Sequence, residues 1–286
     1  MIFFDIRNSL IVITIFLDVL LGLAIFLENR RDPVNISFGI MAVLISHWSL
    51  WALLFRIFPF GAFTIFSGYW LYYAASFLPL SFLIMTMTFP PYNLFSKRWL
   101  LFFIIEESAI LWLVSSPGAM IKDFILLNSE KIILWGPKYS LYILHFLFIF
   151  SAGYVILFKK LLDAKGVTKT QVRYILLGTI IPAMGAITTN LILPWFGYYN
   201  TYTWGGQVFM IILVLLSGYA IVKHHLFNVK IIATELLTFS IWAFLLIRTL
   251  LSKTLQDRII DGSIFGLSMF IGVLLIRSVI KEVEQR

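Results

Sequence analysis

Apolar stretches about as long as a bilayer crossing alternate with short polar breaks from one end of the chain to the other. A hydrocarbon core about 30 Å thick needs roughly 20 predominantly apolar residues per spanning helix. Runs of that kind occupy residues 8–27, 34–55, 65–89, 99–115, 140–158, 174–193, 207–222, 233–250 and 263–280, about nine in all. The breaks carry helix-ending chemistry: Arg30-Arg31-Asp32-Pro33, Pro90-Pro91-Tyr92-Asn93, Ser116-Pro117-Gly118 and Trp204-Gly205-Gly206. The expected fold is therefore an all-α integral membrane protein, a polytopic helical bundle. Residues 116–139 form the longest break, and two short apolar runs there flank Asn128-Ser129-Glu130-Lys131, the pattern of a β-hairpin lying on the membrane surface. An amphipathic surface helix is the alternative for that segment.

Composition reinforces the reading. The chain is 60% hydrophobic and 13% charged, against about 45–50% and about 25% for soluble domains. The first run lacks a small-residue cleavage site after it and is expected to stay as a helix. The formal charge of +8 does not point to nucleic acid, because the basic residues sit in loops between apolar runs. Placing the N-terminus outside puts 14 of the 22 Lys and Arg on the cytoplasmic side and 8 outside, the sense that the positive-inside bias favours. The loop from Lys159-Lys160 to Arg173 is the strongest element of that bias. A multi-pass plasma-membrane protein with a cytoplasmic C-terminus is expected, and the lipid bilayer is its first partner.

Ionisable groups within the runs are costly, at least about 2.5–3.5 kcal/mol each by insertion scales. The candidates are Asp18, His47, Glu106, Glu107 and His145, joined by the amide of Asn190. They suit a polar pocket for a small ligand, a peptide or a proton, roofed by residues 116–139. Helix-bridging hydrogen bonds are the structural alternative, chiefly for His47, His145 and Asn190. Neighbours on a helix point about 100° apart, so Glu106 and Glu107 do not share one partner comfortably, and at least one of them is expected to face an aqueous cavity. No phosphate-binding loop, zinc-protease motif or nucleophile elbow occurs, and the chain has no cysteine. His224-His225, with no carboxylate beside it, reads as an interfacial cap, and neither a metal site nor a cofactor is expected.

The run Gln171-Val172-Arg173-Tyr174 through Gly178, the segment Thr188-Thr189-Asn190 through Pro194, and Gly218-Tyr219-Ala220 through Val229 resemble the N-terminal seven-transmembrane region of bacterial sensor histidine kinases. Asn35, Phe38 and Trp48, after Arg31-Asp32-Pro33, fit the same pattern. The resemblance implies a seven-helix sensory domain over 1–230, followed over 231–286 by two further transmembrane helices leading into a cytoplasmic signalling helix. It also implies a homodimer and a cytoplasmic kinase domain, in cis or in trans, as partner. The family's phosphoacceptor His motif and ATP-binding boxes are not in this sequence, which leaves the chain without kinase catalytic residues of its own. The rival reading is a small-molecule or ion transporter or channel with Asp18, Glu106 and Glu107 along its path. A lipid-acting membrane enzyme using Glu106 and His145 ranks third.

Overall fold

A computed structural model describes residues 5–89, 97–127, 130–198, 202–224, 229–252 and 254–284. Among the described residues, nine long helices follow the apolar runs, with ends that differ from them by up to eight residues: α1 (Ile6–Glu28), α2 (Pro33–Ile57), α3 (Ala62–Thr88), α4 (Lys97–Ser115), α5 (Tyr139–Asp163), α6 (Gly166–Ile187), α7 (Thr203–His224), α8 (Val229–Leu251) and α9 (Leu255–Glu284). The punctuation residues act as caps. Asp5 accepts from the amide of Arg7, and Asp32 accepts from the amide of Val34 at 2.7 Å with Pro33 in the first helical turn. Among the described residues, six helical segments are long and apolar enough to cross a bilayer, drawn from α1, α2, α3, α5, α6 with its continuation, and α9. The 19-residue α4 carries Lys97, Arg98, Glu106 and Glu107 and is not one of them. Residues 225–228, which include His225 of the expected interfacial cap, and the hairpin tip at 128–129 lie outside the described residues.

The bundle is built from antiparallel neighbours, α1 on α2, α2 on α3, α6 on α7 and α8 on α9, with α5 packed across α3 and α6. Small residues permit the closest approach: a Cβ at Gly22 would lie 2.7 Å from Cβ of Ala42. The main core joins α2, α3, α5, α6 and α7 through Phe38, Trp48, Phe82, Tyr142, Leu176 and Met210. A second cluster docks α8 and α9 onto α1, with Phe239 and Trp242 packed beside Phe16, Ala24 and Phe265. Apolar side chains such as Trp112, Leu162 and Phe270 point outward, as a lipid-facing surface requires. α6 runs into a π-helical turn at Thr188–Ile192 and a last turn at Leu193–Trp195. Such a turn inserts an extra residue and re-aims the side chains after it.

Between α4 and α5 stands the β-hairpin, β1 (Ile121–Leu127) paired antiparallel with β2 (Glu130–Trp135), with a register irregularity between Ile121 and Asp123. Its inward residues clamp one end of the bundle. Phe124 meets Phe55 and Tyr69, while Trp135 stacks on Tyr139 at 3.9 Å and donates from Nε1 to the carbonyl of Pro194 at 3.3 Å. Lys131 donates to the carbonyls of Phe55 (2.6 Å), Arg56 (3.0 Å) and Phe58, which caps the end of α2 with a cation. Burial pushes its ammonium down to about 8, and the neighbouring Arg56 adds to that shift.

Candidate functional site

The six candidate residues do not converge on one pocket. Glu106, Glu107 and His145 come together; Asn190 belongs to a cavity in the bundle core; His47 and Asp18 sit apart from both groups.

The cavity lies among α2, α3, α5, α6 and α7 and offers ≈ 90 Å³ to the centres of water-sized molecules, roughly six times the room one water needs. Its wall follows from a stripe on α5. Tyr142, Phe146, Phe150 and Tyr154 recur at helical spacing, turn to the interior and meet Tyr72 and Phe82 from α3. Tyr142 is pinned by donating its hydroxyl to the carbonyl of Tyr72 at 2.7 Å. The polar contributions besides the aromatic side chains are few: Arg56 from α2, Thr179 and Asn190 from α6 and its π turn, and Thr203 and Gln207 from α7. Asn190 donates through Nδ2 to the carbonyl of Ala186 at 3.3 Å and to the Thr189 hydroxyl at 3.1 Å. An aromatic wall with a few directed polar groups is the usual make-up of a small-molecule site. The sequence carried a signal for it, the i, i+4 aromatic series on α5, which composition alone would assign to packing or to the aromatic belt.

The acidic cluster is assembled from α3, α4 and α5. His145 Nδ1 lies 2.5 Å from Glu106 Oε1, and His145 Nε2 lies 3.0 Å from the carbonyl of Ser76 and 3.9 Å from Glu107 Oε2. Glu107 Oε1 accepts from the Ser76 hydroxyl at 2.7 Å. His145 and Glu107 are 4% and 5% exposed. A carbonyl only accepts, so Nε2 carries a hydrogen. Ser76 is the residue that sequence reasoning missed, because a serine within an apolar helix gives no sign of its partner.

His47 stands in an aromatic group instead. Its Nε2 accepts from Nε1 of Trp51 at 3.0 Å, and Trp51 and Trp70 pack edge-on against its ring. Asp18, 1% exposed on α1, has no hydrogen-bond donor on either carboxylate oxygen among the described residues.

No curated protein and no solved structure matches the chain significantly. A family profile does, over most of its length: that of the N-terminal 7TM region of histidine kinase, across residues 10–230. The matched span runs from the second turn of α1 through α7 and takes in the cavity lining and the whole acidic cluster. This chain, a multi-pass helical membrane protein, belongs to the family of N-terminal 7TM regions of histidine kinases.

Proposed function

We propose that the chain is a sensory input module that binds a small, largely apolar ligand in its core cavity and relays the event through α9 to a cytoplasmic kinase. The observation that carries this reading is the cavity itself, walled by aromatic rings and provided with Arg56, Asn190 and Gln207 as directional groups. Its position favours a relay. It touches α7, which packs on α1, and α1 carries the docked α8–α9 pair. Trp242 of α8 donates to the carbonyl of Ser268 on α9 at 2.9 Å, and Arg248 pairs with Asp261 at 2.9 Å, so this pair can move as one body. Residues 1–230 serve as the sensory part in this reading and 231–286 as the coupling part.

The N-terminus is placed outside, the C-terminus in the cytoplasm, and a second copy beside the first, since the family's kinases act as dimers. The ligand reaches the cavity from the hairpin side, where Arg56 and Asn190 lie. Transport is the weaker reading, because Asp18 on α1 and the Glu106–Glu107–His145 group on α4 and α5 do not line the cavity.

A thermal-shift screen of the purified chain against a library of lipophilic small molecules tests the cavity. At least one compound should raise the melting temperature of the wild type, and Ala183→Phe, which fills the cavity, should lose that response while Lys122→Ala on the hairpin keeps it. Stabilisation that persists in Ala183→Phe would exclude the cavity as the site.

A further inference from the structure

Glu107 presents a problem that its neighbours do not solve. Its Oε2 is buried without a hydrogen-bond partner, and so is Oε2 of Glu106. Two bare carboxylate oxygens inside a bundle are expensive, and one ligand that satisfies both would remove the penalty. A proton serves poorly. It covers one oxygen and creates a buried O–H that itself needs an acceptor. A dication bound by two carboxylates and one neutral imidazole sums to zero charge and satisfies both oxygens.

The histidine is arranged for that role. Metal-binding histidines commonly donate their second ring N–H to a carbonyl, which fixes the tautomer and aims the other nitrogen. His145 does this through Nε2 to Ser76, leaving Nδ1 toward Glu106. One hydrogen must lie between Nδ1 and Oε1 at 2.5 Å, and an incoming cation would displace it to solvent. One ligand atom from each of Glu106, Glu107 and His145 falls within 4.8 Å of the others, close enough for small side-chain rotations to gather them. A groove between α4 and α5 is lined by Glu106 and His145 and extends from Lys138, beside the hairpin, past the cluster to Ser151. His145 lies six residues into α5, about 9 Å from its hairpin end.

We propose that Glu106, Glu107 and His145 form an intramembrane site for a zinc-class divalent cation entering from the hairpin side. An imidazole with two carboxylates suits zinc and its transition-metal neighbours and disfavours Mg²⁺ and Ca²⁺, which prefer all-oxygen sets. Sequence spacing gave no hint, because the ligands are 39 residues apart and meet only in the fold. The inference does not depend on the core cavity, of whose lining these residues form no part.

The test is a Co²⁺ titration of the full chain, free of affinity tags and chelator-treated, in lipid nanodiscs, followed by visible ligand-field absorption. One equivalent should give the intense absorption of a four- or five-coordinate ion, Zn²⁺ should displace it, and Mg²⁺ in excess should not. Glu107→Gln, which keeps the side chain's shape, should weaken binding at least about 10-fold, and His145→Ala should abolish the band. Should His145→Ala fail to fold, the wild-type spectrum decides alone. A wild type that shows only the faint absorption of a six-coordinate ion, or Glu107→Gln binding as tightly as the wild type, would overturn the proposal and leave the cluster as a proton-holding network.

Discussion

Lys160 and Lys131 perform one task at opposite ends of the bundle. Each places an ammonium over the last carbonyls of a helix from another element, Lys131 on α2 and Lys160 on Thr86 (2.8 Å), Met87 (3.4 Å) and Phe89 at the end of α3. Those carbonyls have no partner within their own helices, and a cation there also meets the negative end of the helix dipole. Removing the donor from a buried acceptor costs about 1–3 kcal/mol. Lys160→Met should therefore lower the melting temperature of the purified chain by several degrees, and Lys160→Arg should recover part of the loss. An unchanged melting temperature in Lys160→Met would show that water caps α3 equally well. In the sequence both lysines counted only as topology charges, one on each side of the membrane, because a tally of positive residues registers where a charge lies and not which carbonyls it reaches.

At the scale of elements, the π turn after α6 and the glycines of α7 form one fitted joint. Gly206 accepts the amide side chain of Asn190 where a Cβ would collide with Nδ2. Gly206→Ala should thus destabilise the chain, and the double variant Gly206→Ala/Asn190→Ala should be less destabilised than the two single effects combined, a coupling read by a double-mutant cycle of melting temperatures. Additive effects would mean that the two residues do not meet. The same scale governs output. α9 continues as helix through Glu284, so inserting Gly-Gly after Ile280 in a kinase fusion should abolish stimulus dependence while leaving basal phosphorylation. A fusion that still responds would rule out rigid transmission through this helix.

Which of these elements the sequence disclosed follows from what each signal measures. Apolar runs report desolvation directly, and they located nine helices among the described residues, most ends to within about five residues and the starts of α6 and α9 eight residues late. The two short apolar runs on either side of Asn128-Ser129-Glu130-Lys131 located the hairpin, although Glu130 and Lys131 belong to β2 and not to the turn, and the resemblance of Gln171–Val229 located the family. The arrangement of polar groups was hidden. Asp18, His47, Glu106, Glu107, His145 and Asn190 share a chemical class, but rotation about each helix axis decides whom they meet, and an irregularity such as the π turn at Thr188–Ile192 resets that rotation without any mark in hydropathy. Glu106 and Glu107 illustrate it, since one faces Nδ1 of His145 and the other the Ser76 hydroxyl.

For the whole molecule, orientation and coupling are the claims to be measured. The absence of cysteine makes single-cysteine labelling a clean readout. Lys122→Cys on the hairpin should react with an impermeant maleimide applied to intact cells, and Lys169→Cys, after α5, only once the cells are opened. The reverse pattern would invert the proposed topology. The proposed coupling brings together the cavity, the α1 contact with α8 and α9, and α9 as the helix proposed to lead to the kinase. Its most direct test is autophosphorylation by residues 1–286 fused in helical register to a histidine-kinase core in nanodiscs, with and without a compound that stabilises the wild-type chain. The rate should change several-fold on adding the compound and stay fixed in the Ala183→Phe fusion. An equal response in both fusions, or none in the wild type, would contradict a sensor that works through its core cavity.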